Sequence, residues 1–245
     1  MLRKLTLLSF LFLSLTLSLR AQFKKGMRMV GSSIGMVLIN TGTTDVSYPT
    51  GQGYSSQSTS YNVTLAPSYG WFMNEKTAVG VSLDVNPSGY KNLYTSGGST
   101  YQKDKSNSFN LGIGGFVRNY FSTSSSFMPF GQFSLNLGTT MQKTSGFYYG
   151  GTNKTTYDGK SSGGFFANSS LSLGMTKLVT PHTGLDFYAG YTFSYNKTSM
   201  KTTTLLDIGN NGSIDQTSIN EPTSKFTNHG FSIGVGFQVF LDAKK

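Results

Sequence analysis

The chain has 245 residues, with 20 Lys+Arg against 10 Asp+Glu and no cysteine. Only 12% is charged and 37% hydrophobic, yet aromatics reach 14% and there are 30 glycines. This balance excludes charge-driven disorder, disulfide scaffolds, zinc ribbons and thiol catalysis, and it suits strands that are apolar on one face only.

The first segment reads as an export address. Arg3 and Lys4 precede an apolar run over residues 5–19, and Ala21 offers a small residue at a cut before Gln22. A positive start, a run too short to span a bilayer and a small cleavage residue describe a secretory signal peptide over residues 1–21. Residues 22–245 are then expected to form one domain. Losing Arg3, Lys4 and Arg20 lowers the net charge from +10 to +7, spread too thinly for a nucleic-acid surface.

Eight strands follow, each identified by alternation at period two. The first, near residues 27–39, is the hardest to phase; Val30, Ile34, Met36 and Leu38 are assigned to its apolar face. The second sets Val63, Leu65, Pro67, Tyr69 and Trp71 against Asn62, Thr64, Ala66, Ser68 and Gly70. The third sets Val79, Val81, Leu83 and Val85 against a face carrying Asp84, and the fourth sets Phe109, Leu111, Ile113 and Val117 against Gly112, Gly114 and Arg118. In the fifth, Phe133, Leu135 and Leu137 oppose Gln132, Ser134 and Asn136; in the sixth, Leu171, Leu173 and Met175 oppose Ser172 and Thr176. The seventh carries Leu185, Phe187, Ala189, Tyr191 and Phe193 opposite Asp186, Tyr188 and Gly190. The eighth carries Phe231, Ile233, Val235, Phe237 and Val239 opposite Ser232, Gly234, Gly236 and Gln238.

The connections alternate in length. Short ones fall at residues 74–76, 122–126 and 180–183, and long polar ones near 40–60, 87–107, 143–162 and 197–225. Strict alternation puts all short turns at one end and four long loops at the other, with strands expected to run about 10–14 residues because a membrane crossing needs ~9–11. The fold class that results is all-β, an eight-stranded antiparallel up-and-down transmembrane β-barrel. The apolar faces are placed outward because the opposite faces are Gly, Ser, Thr, Asn and Gln with few charges, unlike a water-exposed surface. Tyr69, Trp71, Tyr191, Phe193 and Tyr195 gather at the ends of apolar faces, where interfacial aromatic girdles form.

The stretch SLSLGMTKLVTPHTGLDFYAGYTFSY over residues 170–195 resembles the strand–turn–strand signature of the small outer-membrane β-barrel domain family, the porin-family or OmpA/OmpX-like proteins. Phe116-Val117-Arg118-Asn119-Tyr120-Phe121 with Met128-Pro129-Phe130, and the strand at 234–240, resemble the same family. The resemblance implies a bacterial outer-membrane location among lipid and lipopolysaccharide. It also implies insertion by the barrel assembly machinery, with Phe237, Val239 and Phe240 as the C-terminal insertion signal. It implies no defined catalytic residues, and no cofactor or metal is expected. The sequence departs from full OmpA architecture in stopping four residues after the eighth strand, so no periplasmic peptidoglycan-binding domain is expected.

A charged network is expected in the lumen from Asp84, Arg118, Gln132, Asp186 and Tyr188, with Arg118 and Asp186 near the short turns and within reach of each other. It reads either as an internal ion pair that helps fill the narrow interior or as the gate of a small conduit. His229 and Ser232 raise a lipid-modifying hydrolase, but residues three apart on a strand point to opposite faces. Residues 207–218 resemble a calcium loop faintly; Ser218 stands where a bidentate Glu is required, so a Gly/Asn/Asp turn is the better reading. Lys103, Lys105, Lys154, Lys160, Lys197 and Lys201 fall in the long connections or their strand ends, where they can approach lipopolysaccharide or, equally, serve only to keep a loop surface solvated. The function expected is a structural or surface-interaction barrel acting through its four long loops on a ligand the sequence does not name. A narrow porin-like passage is the alternative and a lipid-modifying enzyme the third.

Overall fold

The computed structural model describes residues 23–34, 38–47, 53–123 and 125–243. The signal peptide at 1–21 and Met36 of the first strand lie outside the described residues, as do the side chains of Ile34 and Leu38.

The described strands are β1 (Arg28–Ile34), β2 (Leu38–Val46), β3 (Tyr54–Asn62), β4 (Leu65–Phe72), β5 (Thr77–Ser96), β6 (Ser99–Tyr120), β7 (Phe127–Gly150), β8 (Asn153–Thr180), β9 (Thr183–Asp207), β10 (Gln216–Asn220) and β11 (Thr223–Leu241). They make eight staves, because β1 with β2, β3 with β4, and β10 with β11 each continue one line of the ring. Every pairing is antiparallel between chain neighbours, and β1 closes the ring against β11, from Arg28 opposite Leu241 to Ile34 opposite Val235. A closed ring leaves no lower edge unpaired, which is what a hydrocarbon solvent demands.

The faces separate by parity. Outward-pointing Phe231 is 91% exposed, Ile233 81% and Leu173 65%, while Phe116, Arg118 and Tyr120 are buried inside. Aliphatic and aromatic side chains this exposed, on strand after strand, make a lipid-facing band; the protein is a transmembrane β-barrel of eight strands. Val30 of the first strand is on that face and its neighbour Met29 is buried in the interior.

Two expectations are corrected. The segments near 40–60, 87–107, 143–162 and 197–225 are mostly strand, not loop. Strand lengths are therefore well beyond 10–14 residues: β5 has 20, β6 22, β7 24, β8 28 and β9 25. The connection between β5 and β6 shrinks to Gly97 and Gly98, both at positive φ, and that between β7 and β8 to Gly151 and Thr152. Thr, Tyr, Ser and Asn in these segments pair across strands without an apolar face, so hydrophilicity alone made them look like loops. At ~3.3 Å per residue β8 runs roughly 90 Å, so most of it stands outside a hydrocarbon core of about 30 Å.

Candidate functional site

The short-turn end of the barrel is filled. Both residues of Met29-Val30, Trp71-Phe72, Tyr120-Phe121, Phe127-Met128, Leu178-Val179 and Val239-Phe240 are apolar or aromatic, so at this level the interior face is apolar as well. The inward partners Met29, Phe72, Tyr120, Met128, Leu178 and Phe240 are each at most 1% exposed. Phe23, ahead of β1, folds back into the same space, its ring 4.3 Å from Phe72, 4.7 Å from Phe240 and 5.1 Å from Tyr120. Gly26 N–H donates to the Phe72 carbonyl at 2.8 Å and fixes that return.

A polar layer lies on this aromatic floor. Arg118 Nη1 meets Asp186 Oδ2 at 2.7 Å, and its Nε donates to Gln132 Oε1 at 2.7 Å. The same Nη1 donates to the Tyr120 hydroxyl at 3.2 Å, and the guanidinium stacks 4.0 Å from the centre of the Phe130 ring. Asp186 also accepts from Gln238 Nε2 at 3.0 Å and from the Thr176 hydroxyl. Five staves thus meet on one buried ion pair, the side chains 6% and 1% exposed. Gln238 reaches it by lying over Gly31, where an added Cβ would come within 2.0 Å of its Oε1.

Of the residues expected in the lumen, the structure brings together Arg118, Gln132 and Asp186. Tyr188 packs against the aromatic cluster and lies over Gly234, without a hydrogen bond to the pair among the described residues. Asp84 belongs to another level and accepts from Asn168 Nδ2 of the facing stave at 3.2 Å. Thr176, Gln238, Tyr120 and Phe130 were not expected at the site. The doublets of apolar residues at the strand ends were the legible signal for the floor. Thr176 and Gln238 share the polar-face parity of Arg118 and Asp186 but carry no charge to mark them.

The girdle residues Tyr69, Trp71, Tyr191 and Phe193 point outward and are about 40% exposed, while Tyr195 is half-buried. The terminal residues divide: Phe237 faces outward, Val239 shares its parity, and Phe240 turns into the floor. His229 Nδ1 pairs with the Tyr191 hydroxyl at 2.7 Å on the outer face, while Ser232 is on the opposite face. Residues 208–210 form a 3-10 turn, and the N–H groups of Asn211 and Gly212 just beyond it donate to the Asp207 carboxylate, which holds the turn. Among the described residues no group of three His, Cys, Asp or Glu side chains is placed to hold a metal.

The chain matches no family model and none of the curated proteins. Among solved structures it is similar to the outer membrane protein OprG from Pseudomonas aeruginosa, at 13% identity over 89% of this chain and 97% of that one, TM-score 0.32. It is also similar to Neisserial surface protein A, at 17% identity over 87% and 96%, TM-score 0.27. A third is the outer membrane protease OmpT from Escherichia coli, at 9% identity over 89% and 98%, TM-score 0.35. At TM-scores below 0.5 these likenesses carry no argument; the barrel rests on the pairing of its own strands.

Proposed function

We propose that the protein is a closed barrel of the bacterial outer membrane that displays long β-hairpins outside the cell for surface interaction. The observation that carries this reading is the packed floor. Phe23, Phe72, Tyr120 and Phe240 fill the short-turn end, and the Arg118–Asp186 pair lies on them. That filling favours a structural and display role over a narrow passage for solutes. The lengths of β5 to β9 supply what is displayed: a polar sheet wall continuing the barrel beyond the lipid band. In this reading residues 1–21 direct export, and the assembly machinery recognises the final strand with Phe237, Val239 and Phe240. Short turns then face the periplasm and hairpin tips face outward.

The absence of cysteine from all 245 residues makes the orientation directly testable. Thr152→Cys at a hairpin tip should react with a membrane-impermeant maleimide in intact cells. Glu75→Cys in a short turn should react only after permeabilisation. The reverse pattern would overturn the reading.

A further inference from the structure

Above the apolar band, the outward face passes to lysine on six consecutive staves. On β5 the outward series Val81, Leu83, Val85, Pro87 ends at Lys91 after one glycine, and on β7 Leu135, Leu137, Thr139, Met141 ends at Lys143. The same step occurs at Lys105 on β6, Lys160 on β8, Lys197 on β9 and Lys225 on β11. All six are exposed, and so is Lys201 further along β9.

Their register is unusual for like charges. Lys91 stands directly opposite Lys105, and Lys197 opposite Lys225. Lys143 stands opposite Lys160, which stands opposite Lys201, so three ammonium groups form one row across β7, β8 and β9. Directly opposed residues have Cβ atoms ~4.5–5.5 Å apart, and like charges there destabilise a sheet. None of these lysines has an ion-pair partner among the described residues. The carboxylate nearest the row along the chain, Asp158, is opposite Ser145 and Thr203, not opposite a lysine.

A β-bulge builds the row. Between the pairs Thr139–Phe165 and Lys143–Lys160, β8 spends one residue more than β7. The outward set on β8 therefore changes from odd positions, with Phe165, Leu171 and Leu173, to even ones, with Lys160, while Thr155 and Gly159 become buried. Gly163, at φ +148, takes the irregular backbone. Without the extra residue Lys160 would point into the lumen; the bulge re-aims it onto its two neighbours.

We propose that this collar binds the phosphates of a multiply phosphorylated lipid headgroup in the surrounding leaflet, with Lys143, Lys160 and Lys201 as its principal site. The inference rests on the outward orientation of the hairpins. Each ammonium group is a compact point charge with three donors, suited to phosphate oxygens. A lipid fits better than a free anion because apolar surface begins immediately below: Met141 is the outward residue before Lys143, and Phe165 is opposite Lys197. An amphiphile satisfies both surfaces at once, with headgroup on lysine and acyl chain on the band.

The test is thermal unfolding of the full barrel in zwitterionic micelles, read by the gel shift between folded and unfolded forms. Diphosphorylated lipid A should raise the midpoint, and added salt should weaken the rise. Lys143→Gln with Lys160→Gln and Lys201→Gln should lose it, and Lys160→Gln alone should reduce it. Inorganic pyrophosphate at the same concentration should leave the midpoint unchanged. An undiminished response in the Gln variants would overturn the site, and an equal response to pyrophosphate would reduce it to a free-anion site. Maleimide labelling of the Thr152→Cys and Glu75→Cys variants separates the two readings. A wild-type barrel with no lipid A response, while Thr152→Cys labels in intact cells, overturns the site alone. A preserved response with only Glu75→Cys labelling in intact cells overturns the outward orientation.

Discussion

Arg118 and Asp186 hold each other in a place where neither charge can be left alone. The guanidinium lies between Gln132, Tyr120 and the Phe130 ring, and the carboxylate is held by Thr176 and Gln238. Asp186→Asn is expected to cost ~3–5 kcal/mol, because it strands a buried cation. Arg118→Met combined with Asp186→Leu should recover most of that, since an apolar pair of similar volume removes the desolvation cost of both ions. Urea unfolding in micelles reads both; a neutral single variant would contradict the burial of the pair. Parity placed Arg118, Gln132 and Asp186 on the inner face from sequence alone, because one polar face runs through all three strands. Position along its strand also sets Asp84 further from the short turns, but the Asn168 that meets it there could not be named from sequence, since which residues stand level depends on the stagger between strands, which alternation does not encode.

Tyr157 gives a second residue-level prediction, outside the lipid band. Its hydroxyl donates to Asp104 Oδ1 across the upper lumen. Burial, and then the Asp104 carboxylate, push the phenol above its ordinary value. Its neutral form is therefore the one the fold favours: the contact is intact below about pH 10, where free tyrosine titrates, and is lost as pH rises through the raised folded value. In alkaline absorbance titration, Tyr157→Phe should remove a late-titrating component, and Asp104→Asn should move that component to lower pH. An unchanged late phase in both variants would contradict the contact.

Among the elements, β8 carries the most information that sequence reading missed. Its polar upper half, from Asn153 to the bulge, has no apolar face, so it carries no period-two signal and has the composition of a loop. The lower half, with Leu171, Leu173 and Met175, was legible because lipid imposes a one-sided pattern on it. A bulge also reverses parity, so extrapolating from the lower half would have put Lys160 inside. Deleting Ser162, which lies in the bulge between the paired residues Ser161 and Gly163, tests this directly. The deletion is expected to withdraw Lys160 from labelling in folded protein while the barrel base, and with it the heat-modifiable gel shift, is retained. Undiminished labelling at Lys160 would show that the bulge does not set its direction.

For the molecule as a whole, closure, strand number and orientation of faces follow from one constraint: backbone groups in hydrocarbon must pair, and side chains there must be apolar. That constraint writes itself into sequence as alternation, and it is why eight strands were countable. The floor obeys a different rule. At the short-turn end both faces are apolar, so Phe72, Tyr120 and Phe240 look like extra girdle residues until the ring is closed around them. Phe23 precedes any strand and carries no periodic signal at all.

Single-channel recording in planar bilayers shows whether this floor closes the barrel. The wild-type protein should give no steady conductance steps. Phe72→Ala with Phe240→Ala, which removes two rings in contact with Phe23, should introduce them. Steady steps from the wild-type barrel, unchanged by that double substitution, would contradict the account.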